Sequence, residues 1–279
     1  MNLGVRTANA VSVALFTMAM SACSTGAVGT DNLQQNEALS TQQAKLLASN
    51  GKAFDLAGLS VAISGNTAVV GASRDDDKGT DAGAVYVFVR NGTSWTQQAK
   101  LTAADGAANA NFGISVALNG DTALFGAKFD GSAASDAGAA YVFVRTGTTW
   151  TQQAKLVASD AAVEDQLGAS VALEGDTAVV GTIEDDDHGD RSGAAYVFVR
   201  SGTSWTQEAK LTPDDGAAAD QFGISVSVSG NTVAVGTWGD DDLGNSSGAA
   251  YVFVRSGTSW TQQAKLLAGD GAGEEPHRG

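Results

Sequence analysis

The chain has 279 residues, with 35 glycines and only 2 prolines, and 43% of its residues are hydrophobic. That apolar content is enough to form a buried core, and it excludes an intrinsically disordered chain. The formal net charge is −15, with 31 acidic against 16 basic residues. Nucleic acid requires a basic face on the protein, so nucleic-acid binding is excluded.

Residues 1–22 are predicted to be an export signal, and they are left out of the fold. Arg6 precedes an apolar run over residues 11–20 that is too short to span a bilayer. The run ends in the sequence Met-Ser-Ala-Cys at residues 20–23, which resembles a bacterial lipobox. This resemblance implies cleavage before Cys23 and its lipidation by fatty acids such as palmitate. The alternative is an ordinary signal peptide with an incidental cysteine.

Lipidation at Cys23 implies a protein of the bacterial cell envelope that is anchored in a lipid bilayer. Ser24 follows the cysteine where inner-membrane lipoproteins typically have Asp, so we expect the outer membrane, on its periplasmic or its surface side. Residues 23–40 are small and polar without a period, and they are predicted to form a flexible tether.

Internal repetition governs the sequence from residue 41 to residue 270. Three residue types recur every 55 positions: Trp95, Trp150, Trp205 and Trp260; Tyr86, Tyr141, Tyr196 and Tyr251; and Lys45, Lys100, Lys155, Lys210 and Lys265. An unbroken period of this kind indicates tandem duplication. The four full units are residues 45–99, 100–154, 155–209 and 210–264, and residues 271–279 form a divergent tail.

Each unit is predicted to contain four short strands. A two-residue turn led by glycine, such as Gly175-Asp176, separates the first two strands and suits a type II′ hairpin. The third strand, at 194–200 in unit three, is apolar on both faces and is predicted to lie between neighbouring layers. Strict alternation along the fourth strand predicts one face with Trp95, Gln97, Ala99 and Leu101, and a solvated face with Thr96, Gln98 and Lys100. Such a half-polar strand is typical of a sheet edge.

These strands together resemble the bacterial FG-GAP repeat, which is related to the blades of the integrin α-subunit propeller. The similarity is carried by Phe222-Gly223, by the turn at 230–232 and by residues 248–253, read Gly-Ala-Ala-Tyr-Val-Phe. It implies an all-β, β-propeller-type array of four-stranded antiparallel blades that recognises other macromolecules. Ala57 and Leu167 depart from the Phe of the Phe-Gly pair. The calcium loop that integrin blades often carry between their first and second strands is replaced by the two-residue turn.

The two ends of the array leave the closure of the propeller open. Residues 41–49 match a fourth strand that has no preceding blade, and a fifth unit fails soon after it begins at Lys265. A four-bladed ring, an incomplete or open arc and an oligomeric ring are all compatible with this sequence. The leading strand either completes the last blade or lies on the first one.

The loop between the second and third strands is the recurring acidic feature of the repeat. Clustered carboxylates followed by glycine favour Ca²⁺, which takes six to eight oxygen ligands. The alternative is a solvated acidic turn. The candidate calcium ligands are Asp75, Asp77 and Asp81 in unit one, Asp185 and Asp187 in unit three, and Asp240 and Asp242 in unit four.

No recognised catalytic motif occurs in the sequence, so we expect no enzymatic activity. The repeat array, the tether and the anchor together predict an interaction or adhesion module that binds a protein or a glycan through its loops. One alternative is a truncated structural or relic array without a partner of its own. A propeller enzyme is the remaining alternative, and it would need a blade-specific acid or histidine.

Overall fold

The computed structural model describes residues 42–269. Cys23, the predicted tether and the tail at 271–279 lie outside these residues. Within the described part of the chain there is no helix long and apolar enough to cross a membrane.

The described chain forms four antiparallel sheets of four strands, one for each repeat, which confirms the predicted all-β array of blades. We number the blades 1 to 4 in chain order. Blade 1 contains β1 (Val61–Ser64), β2 (Thr67–Ala72), β3 (Ala84–Asn91) and β4 (Ser94–Leu101). Blades 2, 3 and 4 follow in chain order: β5 (Val116–Asn119), β6 (Thr122–Ala127), β7 (Ala139–Thr146), β8 (Thr149–Leu156); β9 (Ser170–Glu174), β10 (Thr177–Thr182), β11 (Ala194–Ser201), β12 (Ser204–Leu211); β13 (Ser225–Ser229), β14 (Thr232–Thr237), β15 (Ala249–Ser256), β16 (Ser259–Leu266).

The hairpin turns form as the sequence predicts. Gly65 has a φ of 57°, and the residue after it does not have a positive φ, which is the type II′ pattern. An L residue with a side chain rarely adopts that φ, so glycine leads this turn in every blade. The turn fixes the register between the first two strands, with Ser64 opposite Thr67.

Each blade has two chemically different faces. We call the face that bears the tyrosine of the third strand the front face, and the opposite face, which bears the valines, the rear face. In blade 1 the front face carries Tyr86 and Phe88, and the rear face carries Val85 and Val87. All four side chains are buried, so the prediction that the third strand is covered on both sides is confirmed.

Successive blades pack front face against rear face. Val85 and Val87 of blade 1 form one core with Tyr141 and Phe143 of blade 2. The same pairing recurs between blades 2 and 3 and between blades 3 and 4. Neighbouring first strands also contact one another, from β1 to β5 to β9 to β13. The first strands therefore lie towards the common centre, and the fourth strands form the outer edges.

A β-bulge corrects the predicted faces of the fourth strand. In blade 1 Gln97 lies opposite Phe88 and Ala99 lies opposite Val87, so Gln98 is an extra residue. The extra residue switches the side on which all following residues point. Lys100 consequently lies opposite Tyr86 on the front face, and Ala99 joins the rear face. The prediction that Trp95 shares a face with Ala99 and Leu101 was wrong, because strict alternation fails at this bulge.

The array is open at both ends of the described chain. At the front end, residues 42–49 do not form a strand; Leu46 and Ala48 of this segment pack on the front face of blade 1. The leading segment therefore lies on the first blade and does not complete the last one. Val61 and Ile63 beside it are 67% and 65% exposed. At the rear end Leu266 is 54% exposed, whereas its equivalents in the other blades are buried.

The alanine in place of phenylalanine at residue 57 has a structural effect on blade 1. In blade 2 the corresponding Phe112 packs edge-on against Tyr141, with ring centroids 5.4 Å apart. Ala57 is too small to fill that space, and a cavity of about 240 Å³ lies there between Leu46 and Phe88.

Candidate functional site: a repeated lysine–aspartate–tyrosine cluster

One polar cluster recurs in every blade and is clearest in blade 3. Lys210 on the outer strand places its Nζ 2.7 Å from Asp185 and 2.6 Å from Asp187, both in the loop after the second strand. The same Nζ lies 2.9 Å from Asp160, in the linker that enters the blade. The hydroxyl of Tyr196 donates to Asp160 at 2.9 Å and to Asp185 at 3.1 Å. We call this arrangement the latch, because it joins the linker, the loop and the outer strand.

Blade 4 repeats the latch without change in its residue types. Lys265 Nζ lies 2.8 Å from Asp215 and 2.6 Å from both Asp240 and Asp242. The hydroxyl of Tyr251 donates to Asp215 and to Asp240.

Blades 1 and 2 each replace one carboxylate of the latch. In blade 1 Asn50 takes the linker position and accepts a hydrogen bond from Tyr86 at 3.0 Å. Lys100 still contacts Asp75 at 2.7 Å and also pairs with Asp77. In blade 2 Ser132 takes the second loop position and donates to Asp130 through its hydroxyl.

Burial and ion pairing shift the pKa values of latch residues away from neutral pH, so that lysine and aspartate stay charged and tyrosine stays protonated. Burial lowers the pKa of Lys210, but hydrogen bonds to Asp185, Asp187 and Asp160 outweigh this effect and raise it above its ordinary value. Burial raises the pKa of Tyr196 in the same cluster. In blade 1 the hydrogen bond from Lys100, followed by that from Lys52, lowers the pKa of Asp77 to about 2. The lysine therefore stays cationic and the tyrosine stays protonated at neutral pH.

This charge state limits what the latch can do chemically. A general base must accept a proton near the working pH, and a nucleophilic lysine must be deprotonated. Neither condition holds for a lysine with a raised pKa or for a tyrosine with a raised pKa. The arrangement therefore suits a structural link that fixes the loop.

The structure brings most of the predicted calcium ligands together, but around a lysine. Asp75 with Asp77, Asp185 with Asp187, and Asp240 with Asp242 each converge on one ammonium group. Asp81 is different, because it enters the network through its backbone, whose carbonyl accepts from the Asn111 N–H at 3.0 Å. Among residues 42–269 no group of three or more His, Cys, Asp or Glu side chains is arranged so that it could hold a metal ion.

These donors fit calcium poorly while the lysine is in place, because the ammonium group already lies between the carboxylates. Calcium would have to displace that ammonium group in each blade. Calcium binding at these loops remains a prediction.

The latched loops and the blade linkers interlock on one side of the array, which we call the loop face. Asn109 in the linker after blade 1 donates its N–H to the carbonyl of Thr80 at 2.7 Å, and Ala219 donates in the same way to Asp190 at 2.8 Å. Acidic residues next to the latches stay exposed on this face, for example Asp186 and Asp241. The loop face is thus both fixed in shape and negatively charged.

A cleft of about 510 Å³ opens on the loop face at blade 2. Asp105, Asp130 and Asp136 line it, together with Ser132 and Phe129. Ser132 stands where the other blades have the second loop aspartate, so the shorter side chain helps to make this blade different from its neighbours.

Sequence reasoning missed the latch, although its signal was present. The lysines and tyrosines recur in step with the first loop aspartate, which precedes the tyrosine by 11 residues and the lysine by 25. Strict alternation predicts that the lysine lies on the solvated face of an edge strand, whereas the bulge places it opposite the tyrosine. The tryptophan of the fourth strand packs between blades: Trp150 is buried and donates to Gln98 of the preceding blade at 3.0 Å.

The comparison with protein families agrees with this architecture. The FG-GAP repeat family matches residues 40–88, 95–143, 150–198 and 205–253, which together are more than half of the chain. The chain therefore belongs to the FG-GAP repeat family. The second, third and fourth matches each begin one residue inside the fourth strand of a blade and end within the third strand of the next blade. The first match begins at residue 40, covers the leading segment and ends within β3.

More distant comparisons add little to the assignment. A search of curated proteins finds no match to the sequence. Among solved structures the chain is similar to the crystal structure of a protein proposed to be a 6-phosphogluconolactonase from Bacteroides uniformis. The two are 14% identical with a TM-score of 0.49, and the similarity covers 77% of this chain and 58% of that one. Similarity at this level transfers no activity to the chain.

Proposed function

We propose that this protein is a non-catalytic interaction module that binds a partner protein through its negatively charged loop face. The observation that carries the proposal is the latch, which holds each loop in one conformation while leaving neighbouring carboxylates exposed. A surface that is ordered before binding loses less conformational entropy when a partner docks.

The charge of the loop face indicates the chemistry of the partner. In blade 3 Asp186 and Asp190 are exposed beyond the latch, and Asp187 keeps 60% of its side chain exposed despite its ion pair. Exposed acidic groups around a fixed surface attract a basic surface and accelerate its encounter. The cleft at blade 2, lined by Asp105 and Asp136, offers room for a basic side chain.

Binding should weaken when exposed loop acids are neutralised. We expect the double variant Asp186→Asn with Asp241→Asn to bind envelope proteins less tightly and with a weaker dependence on salt concentration. The matched control is Asp121→Asn with Asp176→Asn, which removes two acids from the hairpin turns outside the latch.

A pull-down from envelope extract, with glycan arrays in parallel, measures this effect. Equal recovery of partners by the two double variants would contradict binding through the loop face. Binding to glycans without recovery of any protein would contradict a protein partner and indicate a sugar partner instead.

We also propose that the module is anchored at the outer membrane through lipidated Cys23. The lipobox-like residues 20–23 support this part of the proposal. Membrane fractionation tests it, because Cys23→Ala should lose both the fatty-acid mass and the association with membranes. Membrane association of Cys23→Ala equal to that of the natural chain would contradict the anchor.

A further inference from the structure

The two open ends of the array have complementary surfaces. Inside the chain, the front face of each blade from 2 to 4 covers the rear face of the blade before it. The front face of blade 1 and the rear face of blade 4 are the two remaining members of this series. Since all blades share one repeat, these two faces carry the residue types that meet inside the chain, except for Ala57 in place of the phenylalanine of blade 2.

The polar contacts between blades show this complementarity in detail. Ser115 Oγ of blade 2 donates to the carbonyl of Gly168 of blade 3 at 2.7 Å, and Ser170 repeats the contact with Gly223. On the rear face of blade 4 the equivalent donor is Ser225, and at the front end the equivalent acceptor is the carbonyl of Gly58.

Three other interblade contacts have matching halves at the two ends. Arg145 donates to Thr67 of the preceding blade, Trp150 donates to Gln98, and the Gly120 N–H donates to Ser64. The corresponding donors on blade 1 are Arg90, Trp95 and the Gly65 N–H, and the corresponding acceptors on blade 4 are Thr232, Gln263 and Ser229.

We infer that two copies of this chain associate head to tail, with the rear face of blade 4 of each copy on the front face of blade 1 of the other. The two copies then form a closed ring of eight blades, which is within the range of known propellers. Head-to-tail contacts close into a ring when the rotation from one copy to the next leads back to the first copy. In a ring of two copies, the contact from the first copy to the second is identical to the contact from the second copy to the first.

The leading segment lies where the outer strand of the docking blade would lie, so it must be displaced. Residues 42–48 and 262–268 have the same sequence, Gln-Gln-Ala-Lys-Leu-Leu-Ala. The leading segment makes no strand ladder, and only Leu46 and Ala48 among its residues are even half-buried. In contrast, β16 pairs with β15 along its whole length and carries Leu266 at the position of Leu46.

Docking would therefore replace a weakly held segment by an identical sequence that is held in a sheet. It would also cover Val61, Ile63 and Leu266, three large apolar side chains that are exposed at the two ends.

Sedimentation velocity of the full chain in mild detergent, from about 1 to 100 µM, tests the inference. We expect the natural chain to reach twice the mass of one copy and no more. A single copy at all concentrations would overturn the inference. Masses that keep growing beyond two copies would overturn the closed ring.

Gly236→Ala blocks the rear face without blocking the fold. A Cβ at Gly181 in blade 3 would lie 2.0 Å from the carbonyl oxygen of Gly223 in the next blade. At Gly236 the only close atom is the Ser225 hydroxyl, which can rotate away. A docked second copy would bring the carbonyl of its Gly58 to the same place. We expect Gly236→Ala to weaken association about a hundredfold, which corresponds to an overpacking cost near 3 kcal/mol.

The front face is blocked by Val61→Glu with Ile63→Glu. The matched control is Val163→Glu, an equally exposed valine at 64% that lies in a linker. We expect the front variant to stay a single copy and the control to associate like the natural chain. Association of either blocked variant at the natural strength would overturn the inference.

Two further measurements test the head-to-tail arrangement. A mixture of the front variant with Gly236→Ala should form a complex of two copies, since one intact front face and one intact rear face remain. Leu46→Asp should release the leading segment and strengthen association about tenfold. Failure of the mixture to associate, or weaker association of Leu46→Asp, would overturn the arrangement.

Discussion

Removing the lysine of one latch should destabilise the fold by far more than removing an ordinary surface lysine. Asp185 has only 5% of its side chain exposed, and Lys210 supplies its cationic partner at 2.7 Å. Loss of one partner leaves a buried carboxylate without its counter-charge, which costs about 3–5 kcal/mol for a fully buried pair. Lys210 itself keeps 19% of its side chain exposed, so water can reach the site.

We therefore expect Lys210→Met to lower the free energy of unfolding by about 2–3 kcal/mol, less than the fully buried limit. Tyr196 still donates to Asp185 in this variant, which supports the lower figure. For a domain of this size the change corresponds to a fall in Tm of roughly 5–10 °C. Urea unfolding followed by tryptophan fluorescence measures it, because Trp205 lies in the same blade.

The sequence offers a matched control at Lys45. This lysine has the same position in the repeat, but it lies on the exposed leading segment. Lys45→Met should change the stability by less than about 0.5 kcal/mol. A double variant with Lys210→Met and Asp185→Asn should recover part of the loss, because it removes the uncompensated charge. Equal stabilities of Lys210→Met and Lys45→Met would refute the latch.

Four other changes test separate parts of the structure. Gly181→Ala should lower the free energy of unfolding by about 3 kcal/mol, because the added methyl group clashes with the next blade, and Gly236→Ala should lower it by about 1 kcal/mol or less. Urea unfolding of dilute protein compares the two variants, and equal losses would contradict the packing between blades. Burial raises the pKa of Tyr86 to about 12. The protonated tyrosine therefore contributes its full stability below its ordinary pKa near 10, and this contribution is lost as the pH rises towards 12. Unfolding without tyrosinate absorbance over that range would contradict this. Burial raises the pKa of Asp165, so Asp165→Asn should raise the urea midpoint at pH 7, with the gain disappearing as acid protonates the natural side chain. Millimolar Ca²⁺ should raise the Tm of Lys210→Met more than that of the natural chain, because the freed carboxylates can ligate it; equal shifts would contradict the exclusion of calcium by lysine.

The blade architecture was predictable because its determinants are local and repeat. The turn glycines, such as Gly65, fix hairpins within a few residues, and the 55-residue period then gives the four full units. The third strand is apolar on both faces in every repeat, and this local pattern alone predicts that other layers pack on both of its faces.

The latch was not predictable from alternation, because it depends on one extra residue in the outer strand. Gln98 bulges out and turns Lys100 towards Tyr86. Nothing in the Gln-Gln pair alone indicates which strand register will form. Joining the linker residue Asp105 to Tyr141 also required knowing how the linker runs over the loop.

The ends of the array follow from the same repetition that builds its interior. Terminal units of a repeat protein need an outer face that does not invite further stacking. At the front end the leading segment partly serves as such a cap, with Gln43 accepting from Trp95 as Gln98 accepts from Trp150. The rear face of blade 4 has no equivalent cover within the described residues, and it keeps the serine, threonine and glutamine that accept a following blade. The leading segment that caps the front end has the same sequence as residues 262–268 at the end of the array. In the association that we propose, this part of β16 in a second copy takes the place of the cap.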